Sequence, residues 1–181
     1  VYGGARHIPI CSLPGMRERS ILVNSLSKTF SVTGWRVGWV VAPPDLTSSI
    51  RKVHDFLTVG AAAPLQQAGV LALNLTDSYF HSLSNGYEIK RNLMLEALSP
   101  LGFVCSPPQG AYYVMASIEN FGYSNDVEFC RHLIHDIGVA AVPGSSFFSD
   151  PEAGSRWVRF CFAKRPETIA AAAERLARLA R

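Results

Sequence analysis

Lys28 stands among residue types that can do chemistry together: Ser25-Leu26-Ser27-Lys28, then Gly34-Trp35-Arg36-Val37-Gly38. A primary amine is a nucleophile toward carbonyl carbon and, once neutral, a base. A hydroxyl lies three residues before it and a guanidinium eight residues after it. A lone lysine would read as the solvated tip of a hairpin; the whole run reads as a site. Such a group must be held by stiff elements on both sides. Ile21-Leu22-Val23 precedes the run and Val37 to Val41 closes it. Continuous apolar runs of this kind predict two buried strands, Ile21–Asn24 and Val37–Ala42.

A second candidate lies late in the chain. Arg159 sits inside Trp157-Val158-Arg159-Phe160-Cys161-Phe162, a predicted strand. A charge in an apolar strand is costly unless it is paired. An internal Asp or Glu would satisfy it.

The run from Ser25 to Gly38 resembles the lysine motif of the class I and II aminotransferases, the fold-type I enzymes that use pyridoxal 5′-phosphate (PLP). The resemblance implies that Lys28 carries the cofactor as a Schiff base and that Ser25 and Arg36 bind its phosphate. Tyr2 stands where the family's D-x-x-Y tyrosine donates to the phenolic oxygen of PLP; the aspartate of that motif would precede Val1. The other reading of Tyr2 is a strand-end ring held by packing. Arg159 and Ala163 keep the family's R-x-x-x-A spacing, in which the arginine grips the substrate α-carboxylate. Pro107-Pro108-Gln109-Gly110-Ala111-Tyr112-Tyr113 and Val142-Pro143-Gly144-x-x-Phe147 resemble turns that the family places near the substrate and at the rim of the site.

The fold implied is α/β, a partial PLP-dependent transferase fold. Residues 1–75 would form the C-terminal part of the large αβα domain, and residues 76–181 a bridging helix and a small α+β C-terminal domain. The chain is thus expected to be the C-terminal portion of a longer protein. The activity implied is transfer of an amino group between an L-amino acid and a 2-oxo acid, in a homodimer. The same lysine, serine and arginine also serve lyases of this fold. A chain lacking the N-terminal cofactor-binding half would instead be a folded, inactive module.

Composition fits a globular chain: 48% hydrophobic and 17% charged residues supply a core and give no sign of disorder. The net charge of +3, with no block of Lys or Arg, argues against nucleic acid as a partner. Cys11, Cys105, Cys130 and Cys161 show no C-x-x-C pairing and read as free thiols of a reducing compartment. No signal peptide is evident and no apolar run reaches the ~18 residues of a membrane span, so a soluble cytoplasmic protein is expected.

The positioning elements follow from periodicity. Pro43-Pro44-Asp45 starts a helix with Leu46, Ile50, Val53 and Leu57 on one face. Pro64 opens a second, lined by Leu65, Ala68, Leu71 and Leu75. Thr76 caps a long helix through Leu98, ended by Pro100 and Gly102. Phe103 to Ile118 reads as two strands broken at Pro107-Pro108. Asn125-x-x-Glu128 reads as a capping box before a helix with Val127, Cys130, Ile134 and Ile137 inward, closed by Gly138. Pro166 begins a last helix with Ile169, Ala173, Leu176 and Ala180 inward. His132 and His135, without further ligands at metal spacing, read as surface residues.

Overall fold

The computed structural model describes residues 1–180. The chain forms two compact units, one spanning Arg6–His81 and one combining Val1–Ala5 with the chain from Ser82 on. Relative to a division at 75/76, residues 76–81 fall in the first unit and residues 1–5 in the second.

In the first unit, β1 (Leu22–Ser25) and β2 (Gly38–Val41) pair antiparallel, with Ser25 opposite Gly38. These strands form where predicted, but they are not buried. Val23 is 72% exposed, and Ile21, Val40 and Val41 are exposed as well. Apolar residues at successive positions belong to a strand covered on both faces. A two-stranded ribbon with no layer over it cannot supply that cover, and the expectation of buried strands is corrected accordingly.

The same holds for α1 (Pro44–Leu57), which starts at its prolines with Asp45 in the first turn, as sequence predicts. Its predicted inward face is exposed at Leu46, Val53 and Leu57, and Phe56 is 94% exposed. In α2 (Ala63–Leu73) the buried residue is Gly69, while Leu71 is exposed and Leu75 falls beyond the helix. The small residue admits a neighbour: a Cβ at Gly69 would lie 2.9 Å from Leu26 Cδ1.

In the second unit a four-stranded antiparallel sheet runs in the order β3 (Val104–Cys105), β4 (Tyr113–Ser117), β6 (Trp157–Cys161), β5 (Val142–Pro143). Alternation places Val114, Ala116, Val158 and Phe160 on a fully buried face. They share one core with Met94 and Leu98 of α3 (Asp77–Leu98), Phe129 of α4 (Asp126–His132), and Ile169 and Leu176 of α5 (Pro166–Leu176). The other face carries Tyr113, Met115, Arg159 and Cys161, all half-buried.

Helix α4 runs on into a π-helical turn, Leu133–Ile137, that closes at Gly138 with φ of 78°. Its buried apolar residues are Phe129, Cys130, Leu133 and Ile137; Val127 and Ile134, predicted inward, are exposed. Both stripes are apolar, and the larger Phe129 ring takes the core. The cap is half as predicted. Asn125 Oδ1 accepts from Glu128 N at 2.9 Å, whereas the Glu128 carboxylate accepts from Ser124. Ile169 and Leu176 of α5 point inward as expected, and a 3₁₀ turn, Ala177–Ala180, follows. The side chain of Ala180 lies outside the described residues.

Candidate active site

The Lys28 loop fills residues 26–37, between the two strands of the hairpin. Its backbone is closed by successive turns: Leu26 N donates to Val37 O, Phe30 N to Leu26 O, Ser31 N to Lys28 O and Val32 N to Ser27 O. Leu26, 1% exposed, anchors the loop in the notch at Gly69 of α2. On the other side Phe30 stacks on Tyr79 (centroids 5.8 Å apart) and meets Phe80 edge-on, while the Tyr79 hydroxyl donates to Thr29 O at 2.7 Å. Thus the residues on both sides of Lys28 are fixed by packing. Lys28 itself is exposed.

Ser25 ends β1 and is half-buried. Gly38, across from it, is required by the close approach of the strands: a Cβ there would lie 2.5 Å from Asn24 O. Arg36 follows a 3₁₀ turn, Thr33–Trp35, in the left-handed region with φ of 54°, and its Nη1 donates to Thr33 O at 2.9 Å. Among the described residues neither Lys28 nor Arg36 has an acidic partner, and the Ser25 hydroxyl has no hydrogen bond. One hairpin therefore carries an amine, a hydroxyl and a guanidinium with most of their donors uncommitted. This donor set fits the phosphate and carbonyl ends of PLP.

In the second unit Arg159 lies on the half-buried face of β6, opposite Met115 on one side and Val142 on the other. Its guanidinium carbon is 4.0 Å from the centroid of the Tyr113 ring and 4.1 Å from that of Phe147. Among the described residues it has no carboxylate partner. Sequence reasoning anticipated an internal Asp or Glu or a substrate anion; the aromatic pair was missed. The signal existed in the two turns ending at Tyr113 and Phe147, but which side chain they meet depends on strand register.

Tyr2 is buried in this same unit. Its hydroxyl donates to Ala111 O, its ring is near Phe162, and the Arg91 guanidinium lies 5.0 Å above it. Burial raises the phenol's pKa, with the nearby Tyr87 adding to the effect and Arg91 opposing it. Its N–H donates to Gln109 O at 2.9 Å, Gly3 N to Glu88 Oε1 at 3.1 Å, and the Ser84 hydroxyl to Val1 O at 2.7 Å. His132 pairs with Asp136 at 2.8 Å on the helix surface.

The profile of the family "Aminotransferase class I and II" matches residues 1–176, and the chain belongs to that family. It is 36% identical over 189 residues to the probable N-succinyldiaminopimelate aminotransferase DapC of Mycobacterium tuberculosis, covering 99% of this chain and 47% of the relative. It is 38% identical over 173 residues to the methionine aminotransferase of Escherichia coli, covering 96% of this chain and 45% of the relative. Among solved structures, the M. tuberculosis N-succinyldiaminopimelate aminotransferase superposes with a TM-score of 0.93 at 35% identity, over 99% of this chain and 47% of the other. The aromatic aminotransferase of Pyrococcus horikoshii superposes with a TM-score of 0.91 at 34% identity, over 99% and 48%. The chain thus has the mixed helix-and-sheet fold of PLP-dependent aminotransferases and spans about half the length of the relatives it matches. Among the described residues, no helix is long and apolar enough to cross a membrane.

Proposed function

We propose that this chain is the C-terminal portion of a PLP-dependent aminotransferase that moves an amino group between an L-amino acid and a 2-oxo acid. What supports the reading is that Ser25, Lys28 and Arg36 all lie on one hairpin with a braced loop, and that among the described residues neither Lys28 nor Arg36 has an acidic partner. Arg36 and Ser25 hold the cofactor phosphate, the guanidinium offering its uncommitted N–H groups and the serine its hydroxyl. PLP, when bound, supplies the electron sink for the charge left at the substrate Cα. Lys28 Nζ would hold the cofactor at its aldehyde carbon, with water leaving, and once displaced by the substrate amine and neutral it would take the proton from the substrate Cα and pass it to the cofactor. Arg159 orients the substrate through its α-carboxylate by a bidentate pair. Tyr2 would donate its hydroxyl to the phenolic oxygen of PLP, the role the family resemblance implies for it, in place of its bond to Ala111 O.

The setting is a cytoplasmic homodimer, the form the family resemblance implies, with small-molecule amino and 2-oxo acids as its partners. The test is a half-reaction on the full-length protein. An amino acid should convert the bound cofactor to its amine form and release the matching 2-oxo acid without ammonia. A subsequent 2-oxo acid should then restore the starting spectrum. Release of ammonia together with a 2-oxo acid, the starting spectrum returning without any added 2-oxo acid, would assign lyase chemistry instead.

A further inference from the structure

We infer that Asp126 is a positioning residue for the substrate-binding arginine, acting through the turn Gly144–Phe147. This rests on the reading of Arg159 as the carboxylate ligand. A guanidinium is planar. It lies over two aromatic rings, at 4.0 and 4.1 Å, and among the described residues its N–H groups have no hydrogen-bond partner, which leaves them for a bidentate carboxylate. Tyr113 belongs to β4 and is fixed by the sheet. Phe147 is not: it ends a single 3₁₀ turn and is 46% exposed, so its position depends on how that turn is tied down.

Three ties are present. Val142 and Pro143 pair with Arg159 and Val158 immediately before the turn. Gly144 packs backbone to backbone, since a Cβ there would fall 2.5 Å from Trp157 O and 2.6 Å from Gly154 O. Asp126, 1% exposed, accepts from Ser145 N through Oδ2 at 2.7 Å. Its Oδ1 accepts from Val127 N at 3.0 Å. Helix α4 already has its cap in Asn125, whose Oδ1 takes the Glu128 N–H. A buried carboxylate with no cation partner among the described residues is costly, and the helix does not need it as a cap. What Asp126 alone does is hold Ser145, two residues before the ring that flanks Arg159.

The experiment uses the full-length enzyme with four variants: Arg159→Ala, Phe147→Leu, Asp126→Ala and Asp126→Asn. Loss of one cation–π partner should raise KM for the amino acid by up to about tenfold, with kcat within about twofold and the cofactor spectrum unchanged. Asp126→Ala should reproduce the Phe147→Leu pattern, and the double variant should be no worse than the worse single one. Asp126→Asn keeps an oxygen for Ser145 N and should restore KM toward the parent value. The inference is overturned if Asp126→Ala lowers the melting temperature but leaves KM unchanged, or if its effect multiplies with that of Phe147→Leu. It is equally overturned if neither Asp126 variant folds, since the residue would then belong to the fold. An unchanged KM in Arg159→Ala would remove the underlying reading of Arg159 instead, whatever Asp126 does.

Discussion

Gly34 and Gly38 both belong to the lysine motif, yet the structure separates them sharply. At Gly34 a Cβ meets nothing within 4 Å; at Gly38 it would stand 2.5 Å from Asn24 O and 3.4 Å from Ser25 Cβ. The oxygen is backbone and cannot rotate away, so Gly38→Ala must push β2 from β1 beside Ser25. Overpacking of this kind costs about 1–3 kcal/mol, and a weakened ladder hydrogen bond adds about 0.5–1.5 kcal/mol. Replacing glycine in a strand returns roughly 0.5–1 kcal/mol of backbone entropy. The net expectation is a loss of about 1–3 kcal/mol. It is concentrated at the strand that carries Ser25, so PLP affinity should fall about tenfold or more. Gly34→Ala should leave cofactor affinity within about twofold, φ there being ordinary. The assay is PLP titration of the apo-enzyme, followed by the cofactor's visible absorbance, with thermal melts alongside. Equal affinities for the two variants would refute the argument, because it rests wholly on the difference in space at the two glycines.

Two further outcomes follow. Arg36→Lys should weaken PLP binding by about ten- to a hundredfold with little change in thermal stability, since lysine offers a point charge where the planar fork grips a phosphate; titration with PLP and with inorganic phosphate as competitor checks it. Burial pushes the Cys130 and Cys105 thiols up to about 11 from an ordinary value of 9. The unfolded chain then loses these protons first, so stability is intact below pH 9 and falls as pH rises from 9 toward 11. The buried Cys130 should account for a loss on the order of 1 kcal/mol at pH 10, and Cys130→Ala should flatten that part of a denaturant-against-pH curve.

The first candidate site is legible in the sequence because it is local. Ser25, Lys28 and Arg36 lie within one hairpin, and apolar runs on both sides mark its strands. What those runs could not tell is where their cover comes from. Val23, Val41 and Phe56 have the residue types of a buried layer and are exposed, so pattern predicts the demand for burial and not its satisfaction. The arginine clamp was invisible for a different reason. Tyr113, Phe147 and Asp126 reach Arg159 through the β4–β6–β5 register and a turn held by a distant carboxylate, and no sequence periodicity encodes such contacts. Helix α4 shows the same limit on a smaller scale. Two apolar stripes compete there, and ring size, read in three dimensions, decides for Phe129.

The central claim is that the amine of Lys28 is the point of covalent attachment for PLP. Borohydride reduction of the full-length holoenzyme, followed by proteolysis and mass spectrometry, tests it most directly. The account predicts a reduced pyridoxyl group on the peptide containing Lys28, absent from Lys28→Ala. A label on another lysine, or a visible cofactor spectrum unchanged in Lys28→Ala, would contradict it.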